Sequence, residues 1–261
     1  MVEFYKYHGA GNDFILIDNR SKVFNPDKKI IKNLCRRHLG VGADGLILLE
    51  DDSLSGYMMR YFNSDGKEAS MCGNGGRCFV AFAQSLGLCN DHFIFNAIDG
   101  YHEAIILKRD KDSYLVNLKM NDVSTVLPYD EGFYLDTGSP HLVVFTNYIN
   151  KIDVFNTGKE LRLLPKWGAD GVNVNFAQIE NNKIISRTYE RGVENETLAC
   201  GTGAVAIAIS AVDQNLIRNS PVKIEMCGGT LKVHYEKREQ KFTNIWLEGP
   251  AVMVFKGGIN L

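Results

Sequence analysis

Short apolar runs recur along the chain, and glycine, asparagine or aspartate bounds most of them. Runs of this length, rich in β-branched and aromatic residues, are typical of β-strands. The segments with this pattern are residues 14–18, 46–49, 57–62, 104–107 and 142–145. The hydrophobic pattern therefore predicts a chain built mainly from strands.

Two segments differ because they are apolar on every side. Residues 79–83, followed by Gly87, and residues 204–209 contain alanine, valine, isoleucine and phenylalanine without a polar face. A helix of this kind belongs inside a core rather than on a surface. We therefore expect two buried helices, one in each half of the chain.

The chain also repeats itself. Gly42-Ala-Asp-Gly45 recurs as Gly168-Ala-Asp-Gly171, at an offset of 126 residues. The box Glu68-Ala-Ser-Met-Cys72-Gly-Asn-Gly75 is matched by Glu196-Thr-Leu-Ala-Cys200-Gly-Thr-Gly203, at an offset of 128 residues. Similar features in the same order indicate a duplicated fold.

These patterns predict an α/β fold of the α+β type with two homologous halves. Each half is a mostly antiparallel strand layer or barrel wrapped around its central buried helix, with the active-site cleft between the halves. We place the N-terminal half at residues 1–121, joined by residues 250–261 if the last strand returns to it, and the C-terminal half at residues 122–249. A polar stretch at residues 120–123 marks the boundary.

Composition argues against several classes of partner. Of 261 residues, 45% are apolar and 23% are charged, as in ordinary globular proteins. Lysine and arginine number 29 against 31 acidic residues, so no excess positive field exists for nucleic acid or an anionic membrane. No run approaches the ~18 apolar residues of a membrane span, and no signal peptide is visible. We expect a cytoplasmic protein.

Six cysteines are too few for a disulfide framework in a chain of this length. None forms a Cys-x-x-Cys pair, so we expect no metal site. Four of them lack the repeated context, and we expect each to be a small buried hydrophobic residue. These four are Cys35, Cys78, Cys89 and Cys227.

Cys72 and Cys200 each precede a predicted helix. The unpaired N–H groups at a helix N-terminus lower the pKa of a thiol and make the thiolate accessible. A thiolate on one face of a carbon and a thiol on the other can remove and return a proton, and so invert a stereocentre. The two residues are therefore predicted to be the acid and base of a cofactor-independent amino-acid epimerase.

The turns that follow the cysteines suit the same chemistry. Backbone N–H groups of Gly73 and Asn74, and of Gly201 and Thr202, can hold one α-carboxylate and stabilise the charge that develops as the proton leaves. For either box alone, a small residue in a tight loop is an equally good interpretation. The repeat favours the catalytic one, and neither box has the glycine spacing of a dinucleotide site.

Eight motifs in order resemble those of diaminopimelate epimerases along nearly the whole chain. They are His8-Gly-Ala-Gly-Asn12-Asp-Phe14, Gly42-Ala-Asp-Gly45, Asn63-Ser-Asp-Gly66, Met71-Cys-Gly-Asn-Gly-Gly-Arg77, Gly138-Ser-Pro-His141, Val172-Asn173-Val174, Tyr189-Glu-Arg-Gly192 and Ala199-Cys-Gly-Thr-Gly203. The resemblance implies interconversion of LL-2,6-diaminopimelate and its meso isomer, on the route to lysine and peptidoglycan. It also implies a homodimer that needs no cofactor and no metal.

The resemblance assigns roles position by position. Cys72 and Cys200 match the acid/base pair, and His141 and Glu190 match residues that tune the thiol pKa values. The clamp on the reacting carboxylate is matched by Gly73, Asn74, Gly201 and Thr202. Contacts to the distal amino-acid end are matched by Asn12, Asn63, Asn173, Glu190 and Arg191.

The chain departs from the family pattern at three places. Ser139 stands where many members have asparagine, and Gly45 stands where some have glutamine. The segment between Arg191 and Cys200 is one residue longer than the common spacing, which predicts a bulged loop beside the second cysteine. These departures leave the reaction type unchanged and affect the expected substrate preference.

Two other functions remain open from the sequence. The first is a racemase of another amino acid that uses the same two cysteines, although Asn63, Asn173 and Arg191 together favour a substrate with a second amino-acid end. The second is a non-catalytic thiol switch in which Cys72 and Cys200 close a disulfide. Turnover under reducing conditions distinguishes the switch from the enzyme.

Overall fold

The structure, a computed structural model, describes residues 1–260 and divides the chain into two compact units. The first contains Met1–Leu118 with residues 249–260, and the second contains Lys119–Glu248. The residues that follow Leu118 pair within the second unit. Met120 donates its N–H to the carbonyl of Ile245, and Val123 pairs with Phe242.

The first unit contains nine strands and two helices. In chain order they are β1 (Val2–Gly9), β2 (Asn12–Asp18), α1 (Lys28–Cys35), β3 (Gly45–Asp52), β4 (Gly56–Asn63), β5 (Glu68–Ala69), α2 (Gly73–Ser85), β6 (His92–Ala97), β7 (Gly100–Asp110), β8 (Ser113–Lys119) and the last part of β17 (Lys241–Ile259). The neighbours run from β17 through β1, β2, β3, β4, β6, β7 and β8 and return to β17. Eight strands therefore close into a barrel.

Helix α2 lies inside this barrel. Residues 73–83 are all buried, and the helix packs against β1, β2, β3, β4 and β7. Phe79 and Phe82 are completely excluded from solvent. An apolar helix surrounded by strands buries its whole circumference, which explains why no polar face is needed.

Helix α1 covers the other face of the sheet. Asp27 caps it by accepting hydrogen bonds from the N–H groups of Lys29 at 2.8 Å and Ile30 at 3.2 Å. Ile31 and Cys35 then pack in a cluster with Ile15, Ile17, Leu46, Leu48 and Phe62. Strand side chains alternate between faces, so β2 and β3 support an inner and an outer core at once.

The second unit repeats this arrangement. Its elements are β9 (Leu127–Tyr129), β10 (Gly132–Asp136), β11 (Pro140–Phe145), α3 (Val154–Arg162), β12 (Asn173–Glu180), β13 (Lys183–Glu190), β14 (Asn195–Thr197), α4 (Gly201–Asp213), β15 (Val222–Met226), β16 (Gly229–Arg238) and the first part of β17, with short 3-10 helices at Ile149–Lys151 and Pro165–Trp167. Strands β10, β11, β12, β13, β15, β16 and β17 are successive neighbours. Residues 120–129 link β17 to β10 through the Val123 bridge and the pairing of β9.

The correspondence between the units extends to strand direction. The parallel pairs are β2 with β3 and β4 with β6 in the first unit, and β11 with β12 and β13 with β15 in the second. Helix α4 occupies the position of α2 and is buried over most of its length, and α3 occupies that of α1. The prediction of two related halves, each with strands around a buried helix, is confirmed.

Neither α1 nor α3 was expected from the hydrophobic pattern. Both are short, and both begin at an aspartate that accepts backbone hydrogen bonds, Asp27 in one case and Asp153 in the other. No helix within the described chain has the length and apolar character needed to cross a bilayer.

Candidate active site

Cys72 and Cys200 both occupy the residue that immediately precedes a buried helix. Their backbones are extended, with φ and ψ of −101° and 142° for Cys72 and −121° and 115° for Cys200. The Sγ of Cys72 accepts a hydrogen bond from the N–H of Gly75 at 3.2 Å. Each thiol therefore lies at the positive end of a helix, where a thiolate is stabilised.

Asn12 and Asn74 adjoin Cys72 in the first unit. The Nδ2 of Asn12 donates to Asp44 Oδ2 at 2.7 Å, which turns the Asn12 carbonyl oxygen towards α2. That oxygen accepts a hydrogen bond from Asn74 Nδ2 at 3.2 Å and lies 3.9 Å from the Sγ of Cys72. The structure thus brings together three residues that the sequence singled out.

A network of charged side chains orients Asn12 through its hydrogen bond to Asp44. Asp13 pairs with Lys6 at 2.7 Å and with Arg37 at 2.7 Å, and Arg37 also reaches Asp44 at 2.8 Å. Burial raises the pKa of Asp13, but hydrogen bonds from Arg37 and Lys6 outweigh it and lower the pKa to about 2. Two cations and two anions compensate one another, so the network orients Asn12 without adding net charge.

In the second unit, the buried ring of His141 has a defined tautomer. The Nδ2 of Asn175 donates to the carbonyl of Leu142 at 3.2 Å, and its Oδ1 accepts from Thr188 at 3.1 Å, which fixes the orientation of the amide. The same Nδ2 lies 3.0 Å from His141 Nδ1, which must therefore be an acceptor. The ring hydrogen is on Nε2 and points to Ser139 Oγ at 3.0 Å.

This tautomer sets the direction of a hydrogen-bond chain that leads to Cys200. Since Ser139 accepts from His141, its own hydroxyl hydrogen can donate to Thr202 Oγ1 at 3.3 Å. Thr202 Oγ1 lies 3.5 Å from the Sγ of Cys200 and can donate to it in turn. Thr137 fixes the same turn through a 3.0 Å hydrogen bond to the carbonyl of Thr202. Ser139, one of the three departures, is thus a link in this chain.

His141 can act on Cys200 only through such hydrogen bonds. It is completely buried, and burial, with a smaller effect from the charge of Arg191, lowers its pKa to about 3. The ring is therefore neutral throughout the physiological range and supplies no positive charge to the thiol.

The burial of His141 predicts a pH-dependent stability. Its pKa in the folded protein lies below the ~6.5 of an unfolded histidine, so the unfolded chain binds more protons between these values. The contribution is complete above pH ~6.5 and is lost as the pH falls, at about 1 kcal/mol per pH unit. Chemical denaturation between pH 6.5 and 4.5 should show a shallower decline for His141→Gln than for the wild type. The exposed His92→Gln is the matched control, and equal slopes for wild type and His141→Gln would contradict this account.

Three further predicted residues lie at the ends of β12 and β13. Asn173 donates to the carbonyl of Pro140 at 3.1 Å, and its Oδ1 accepts the N–H of Arg191 at 2.9 Å. Glu190 accepts a hydrogen bond from Thr197 at 2.9 Å. The Arg191 guanidinium has no hydrogen bond or ion pair to another residue in the range 1–260, which makes it available to a ligand.

The longer segment before Cys200 forms a turn at residues 191–194. Glu194 has a positive φ of 59°, and its N–H bonds to the carbonyl of Glu190. Its carboxylate pairs with Arg162 of α3 at 2.8 Å and accepts a hydrogen bond from Tyr189 at 3.3 Å. The turn is thereby anchored to α3.

Asn63 pairs with Gly45 across β4 and β3. It is exposed at the end of β4, and no side-chain hydrogen bond joins it to Asn12 or Cys72. Gly45 begins β3, where a Cβ would approach the ring of Tyr61 to 2.5 Å and the carbonyl of Phe62 to 2.6 Å. A glutamine at this position would require Tyr61 to move.

The expectation for the remaining cysteines is only partly correct. Cys35 and Cys78 are buried, and burial raises both pKa values well above the usual range. Cys89 is half-buried, and burial raises its pKa to about 11. Cys227 is exposed in the turn between β15 and β16, so its predicted burial was wrong. Cys227 follows the last apolar residue of its strand, and this position was the signal in the sequence for an exposed side chain.

Sequence reasoning did not assign roles to several residues that support these groups. The sequence shows Asp44 only as part of a repeat and does not distinguish Asn175 from other asparagines. The sequence nevertheless contains a signal for each residue. Asp44 recurs as Asp170, and Asn173 and Asn175 are separated by Val174, which places both asparagines on one face of a strand. A Cβ on Gly203 would lie 2.4 Å from Asn175 Oδ1, so the second box needs glycine at this position.

The chain matches one known protein family over nearly its whole length. Residues 4–126 and 133–254 match the family model described as diaminopimelate epimerase. The chain belongs to the diaminopimelate epimerase family. It is 45% identical to the diaminopimelate epimerase of Flavobacterium psychrophilum over 257 residues, which cover 98% of this chain and 99% of that protein. Identity to the Chlorobaculum tepidum diaminopimelate epimerase is 40%, over 97% of this chain and 99% of that protein.

Solved structures support the same fold at much lower identity. A phenazine biosynthesis protein of the PhzF family from Bacillus anthracis has a TM-score of 0.79 at 13% identity, covering 100% of this chain and 99% of its own. A hydroxyproline epimerase from Agrobacterium vitis has a TM-score of 0.70 at 13% identity, and the match covers 99% of this chain and 90% of that chain. The predicted family and fold are confirmed, and family membership makes the chain an isomerase of the epimerase class.

Proposed function

We propose that this member of the family interconverts LL-2,6-diaminopimelate and the meso isomer by a two-base mechanism, with Cys72 and Cys200 acting on opposite faces of one Cα. The observation that carries the proposal is that both cysteines cap equivalent buried helices in the two repeats. An isomerase that removes a proton from one face of a carbon and adds a proton to the other face needs one such group on each face.

The chemistry follows from what a helix N-terminus does to a thiol. A thiolate there is stabilised enough to exist near neutral pH while remaining a strong base. It accepts the Cα proton as the other cysteine, still a thiol, donates a proton from the opposite face. The two cysteines exchange roles when the reaction runs in reverse.

The negative charge that develops during proton removal needs stabilisation at the substrate carboxylate. Backbone N–H groups of Gly73 and Asn74, and of Gly201 and Thr202, are suited to this because the first N–H groups of a helix have no partner within it. Preorganised donors of this kind supply much of the stabilisation in reactions through an anion. The proposed scheme uses no cofactor and no metal.

Recognition of the distal amino-acid end is assigned to polar residues outside the boxes. The Arg191 guanidinium can pair with a carboxylate through two parallel hydrogen bonds. Glu190 and the amides of Asn12, Asn63 and Asn173 are proposed partners for the remaining polar atoms of the substrate. Asn12 and Asn173 support this best, because their side chains are held in fixed orientations.

We further propose a cytoplasmic homodimer that serves the route to lysine and peptidoglycan. The absence of disulfides at Cys35, Cys78, Cys89 and Cys227 suits a reducing compartment. Sedimentation of the reduced protein tests the dimer.

A substrate panel tests the proposed function. Reduced, metal-free protein is incubated with LL-diaminopimelate, L-proline, trans-4-hydroxy-L-proline or L-histidine, and stereoisomers are separated by chiral chromatography. We expect inversion of diaminopimelate alone, and none after alkylation of the protein. Inversion of another amino acid but not diaminopimelate would assign a different racemase, and no inversion under reducing conditions would favour the thiol switch.

A further inference from the structure

Each cysteine box begins with a glutamate four residues before the cysteine, and the proposed mechanism gives this glutamate no role. Both boxes have it, as Glu68 and Glu196, although the three residues between glutamate and cysteine differ at every position. They are Ala-Ser-Met in the first box and Thr-Leu-Ala in the second. A charged residue that both copies retain while its neighbours change indicates a contact that both copies need.

Both glutamates form the same ion pair. The guanidinium of Arg60 donates from Nε to Glu68 Oε1 and from Nη2 to Glu68 Oε2, at 2.8 Å for each bond. The guanidinium of Arg187 donates in the same way to Glu196, at 2.7 Å for each bond. Two parallel hydrogen bonds fix the direction of a carboxylate as well as its distance, which a lysine could not do.

The pair also has the same position on the sheet in the two units. Glu68 of β5 lies opposite the residue of β4 that follows Arg60 by two places. Glu196 of β14 lies opposite the residue of β13 that follows Arg187 by two places. In antiparallel strands such a diagonal neighbour is within reach of a long side chain on the same face. The two copies therefore share a geometry as well as two residue types.

The strands that carry the glutamates are very short. β5 contains two residues and β14 contains three, and the cysteine and the buried helix follow within a few residues. The arginines lie on strands of eight residues, β4 and β13, which pair along both edges. Each ion pair therefore fastens a short segment to a well-anchored strand just before a cysteine.

Other contacts to the two short segments differ between the units. In the first unit, the N–H of Met71 donates to Asp99 Oδ1 at 3.2 Å. In the second, the carbonyl of Leu198 accepts the N–H of Gly228 at 2.8 Å. The arginine–glutamate pair is a contact that both segments share, which associates it with the feature that both segments lead to, a cysteine at the start of a helix.

A purely structural role is the alternative. The side chains of both pairs are between 24% and 29% exposed, and ion pairs with such exposure contribute little to stability. The pair of Asp18 and Arg20 gives a measure of that contribution, because it is also joined by two hydrogen bonds and its side chains are 30% and 32% exposed. Asp18 lies at the opposite end of β2 from Asn12.

We propose that the two arginine–glutamate pairs are positioning elements, each of which fixes the segment that leads into a catalytic cysteine and so sets the place of its Sγ. The paired residues act through the cysteines and are positioning residues rather than catalytic ones. The inference rests on the proposed two-base function. Misplacement by about 1 Å can cost on the order of 10²-fold in rate, so an ion pair that adds little stability can have a large effect on turnover.

Glu68→Gln and Glu196→Gln test the proposal. Glutamine keeps the side-chain volume, but its single carbonyl oxygen cannot accept both hydrogen bonds of a guanidinium. The arginines keep other contacts, because Arg60 lies 3.8 Å from Glu50 and Arg187 donates to a backbone carbonyl at 3.0 Å. We expect each variant to lower kcat for LL-diaminopimelate by about tenfold and to leave KM within about twofold, since the position of a base affects the chemical step more than substrate affinity.

Asp18→Asn is the matched control, because it breaks an equivalent ion pair outside the boxes. All three variants should lower the melting temperature by a similar small amount, about 3 °C or less. Asp18→Asn should leave kcat and KM unchanged. A loss of kcat confined to the two glutamine variants would therefore distinguish positioning from a general loss of stability.

Hydrogen–deuterium exchange without substrate locates the effect. Glu68→Gln should speed exchange in residues 69–72 and leave residues 197–200 unchanged, and Glu196→Gln should do the reverse, because each pair fixes its own segment. Peptide-resolved mass spectrometry gives both rates in one experiment. Unchanged exchange in both variants would reject the positioning role and leave the proposed epimerase reaction intact.

A kcat equal to that of the wild type in folded Glu68→Gln and Glu196→Gln would also overturn the proposal, as would an equal loss of kcat in Asp18→Asn. If a glutamine variant does not fold, Arg60→Lys and Arg187→Lys are judged by the same criteria, since lysine keeps the charge but not the pair of parallel hydrogen bonds. A wild-type protein that is inactive on diaminopimelate, with the expected changes in exchange, would reject the proposed function alone.

Discussion

Cys72→Ala and Cys200→Ala should each reduce epimerisation of LL-diaminopimelate by about a thousandfold or more. Positioned general acid or base groups contribute roughly 10²- to 10⁴-fold. Backbone N–H groups, amides and a hydroxyl at the helix N-termini cannot replace a thiolate, because none of them is an effective base near neutral pH. Initial rates of meso product formation, measured by chiral chromatography, give the effect.

Cys227→Ala is the matched control. This cysteine is exposed, lies in a turn and has no part in either helix N-terminus, so its removal should leave the rate within about twofold. Circular dichroism of all three variants tests whether they fold. A folded Cys72→Ala or Cys200→Ala variant with turnover near that of the wild type would remove that residue from the mechanism.

Arg191→Met should raise the KM for LL-diaminopimelate by about a hundredfold. A hydrogen bond to a charged group contributes about 1.5 to 3 kcal/mol, and a carboxylate held by a guanidinium makes two. Methionine retains much of the side-chain volume but none of the charge. Since Arg191 has no ion pair to lose within the described chain, its replacement should change the melting temperature little.

Arg238→Met provides the control, because Arg238 is a highly exposed arginine at the end of β16 and, among residues 1–260, pairs with Glu236 alone. We expect unchanged steady-state kinetics for it. If Arg191→Met retains the KM of the wild type while remaining folded, the distal carboxylate is recognised elsewhere, and the case for diaminopimelate over a simpler amino acid weakens.

The position of the two cysteines could be predicted because local rules decide it. A glycine-rich turn followed by a run of small and apolar residues starts a helix, and the residue before that turn becomes its cap. The strands were predictable for the same reason. Residues 14–18, 46–49 and 57–62 are all contained in β2, β3 and β4.

The supporting contacts could not be predicted because they depend on strand register. Asn12 meets Asp44 only because β2 and β3 pair in parallel with Phe14 beside Gly45. His141 meets Asn173 and Asn175 through the parallel pairing of β11 and β12. Neither pairing is visible in a single sequence.

The buried arginine and the short helices illustrate a second limit. Arg77 stands in a run that otherwise predicts a core helix, and an arginine is normally assigned to the surface. Its burial depends on acceptors as distant in sequence as Pro250. Helices α1 and α3 depend on a capping aspartate and a few apolar contacts, which the surrounding charged residues obscured.

The most direct test of the two-base mechanism is the hydrogen that the product carries. Reduced protein is mixed with LL-diaminopimelate in D₂O, and deuterium at Cα is measured by mass spectrometry in both isomers before a tenth of the substrate has reacted. The account predicts that the meso product carries deuterium at the inverted centre from the first turnovers, because the second thiol has already exchanged with solvent, while the remaining substrate stays largely protonated. A meso product that retains the original hydrogen would show that one group moves the proton between faces, and it would contradict the assignment of Cys72 and Cys200.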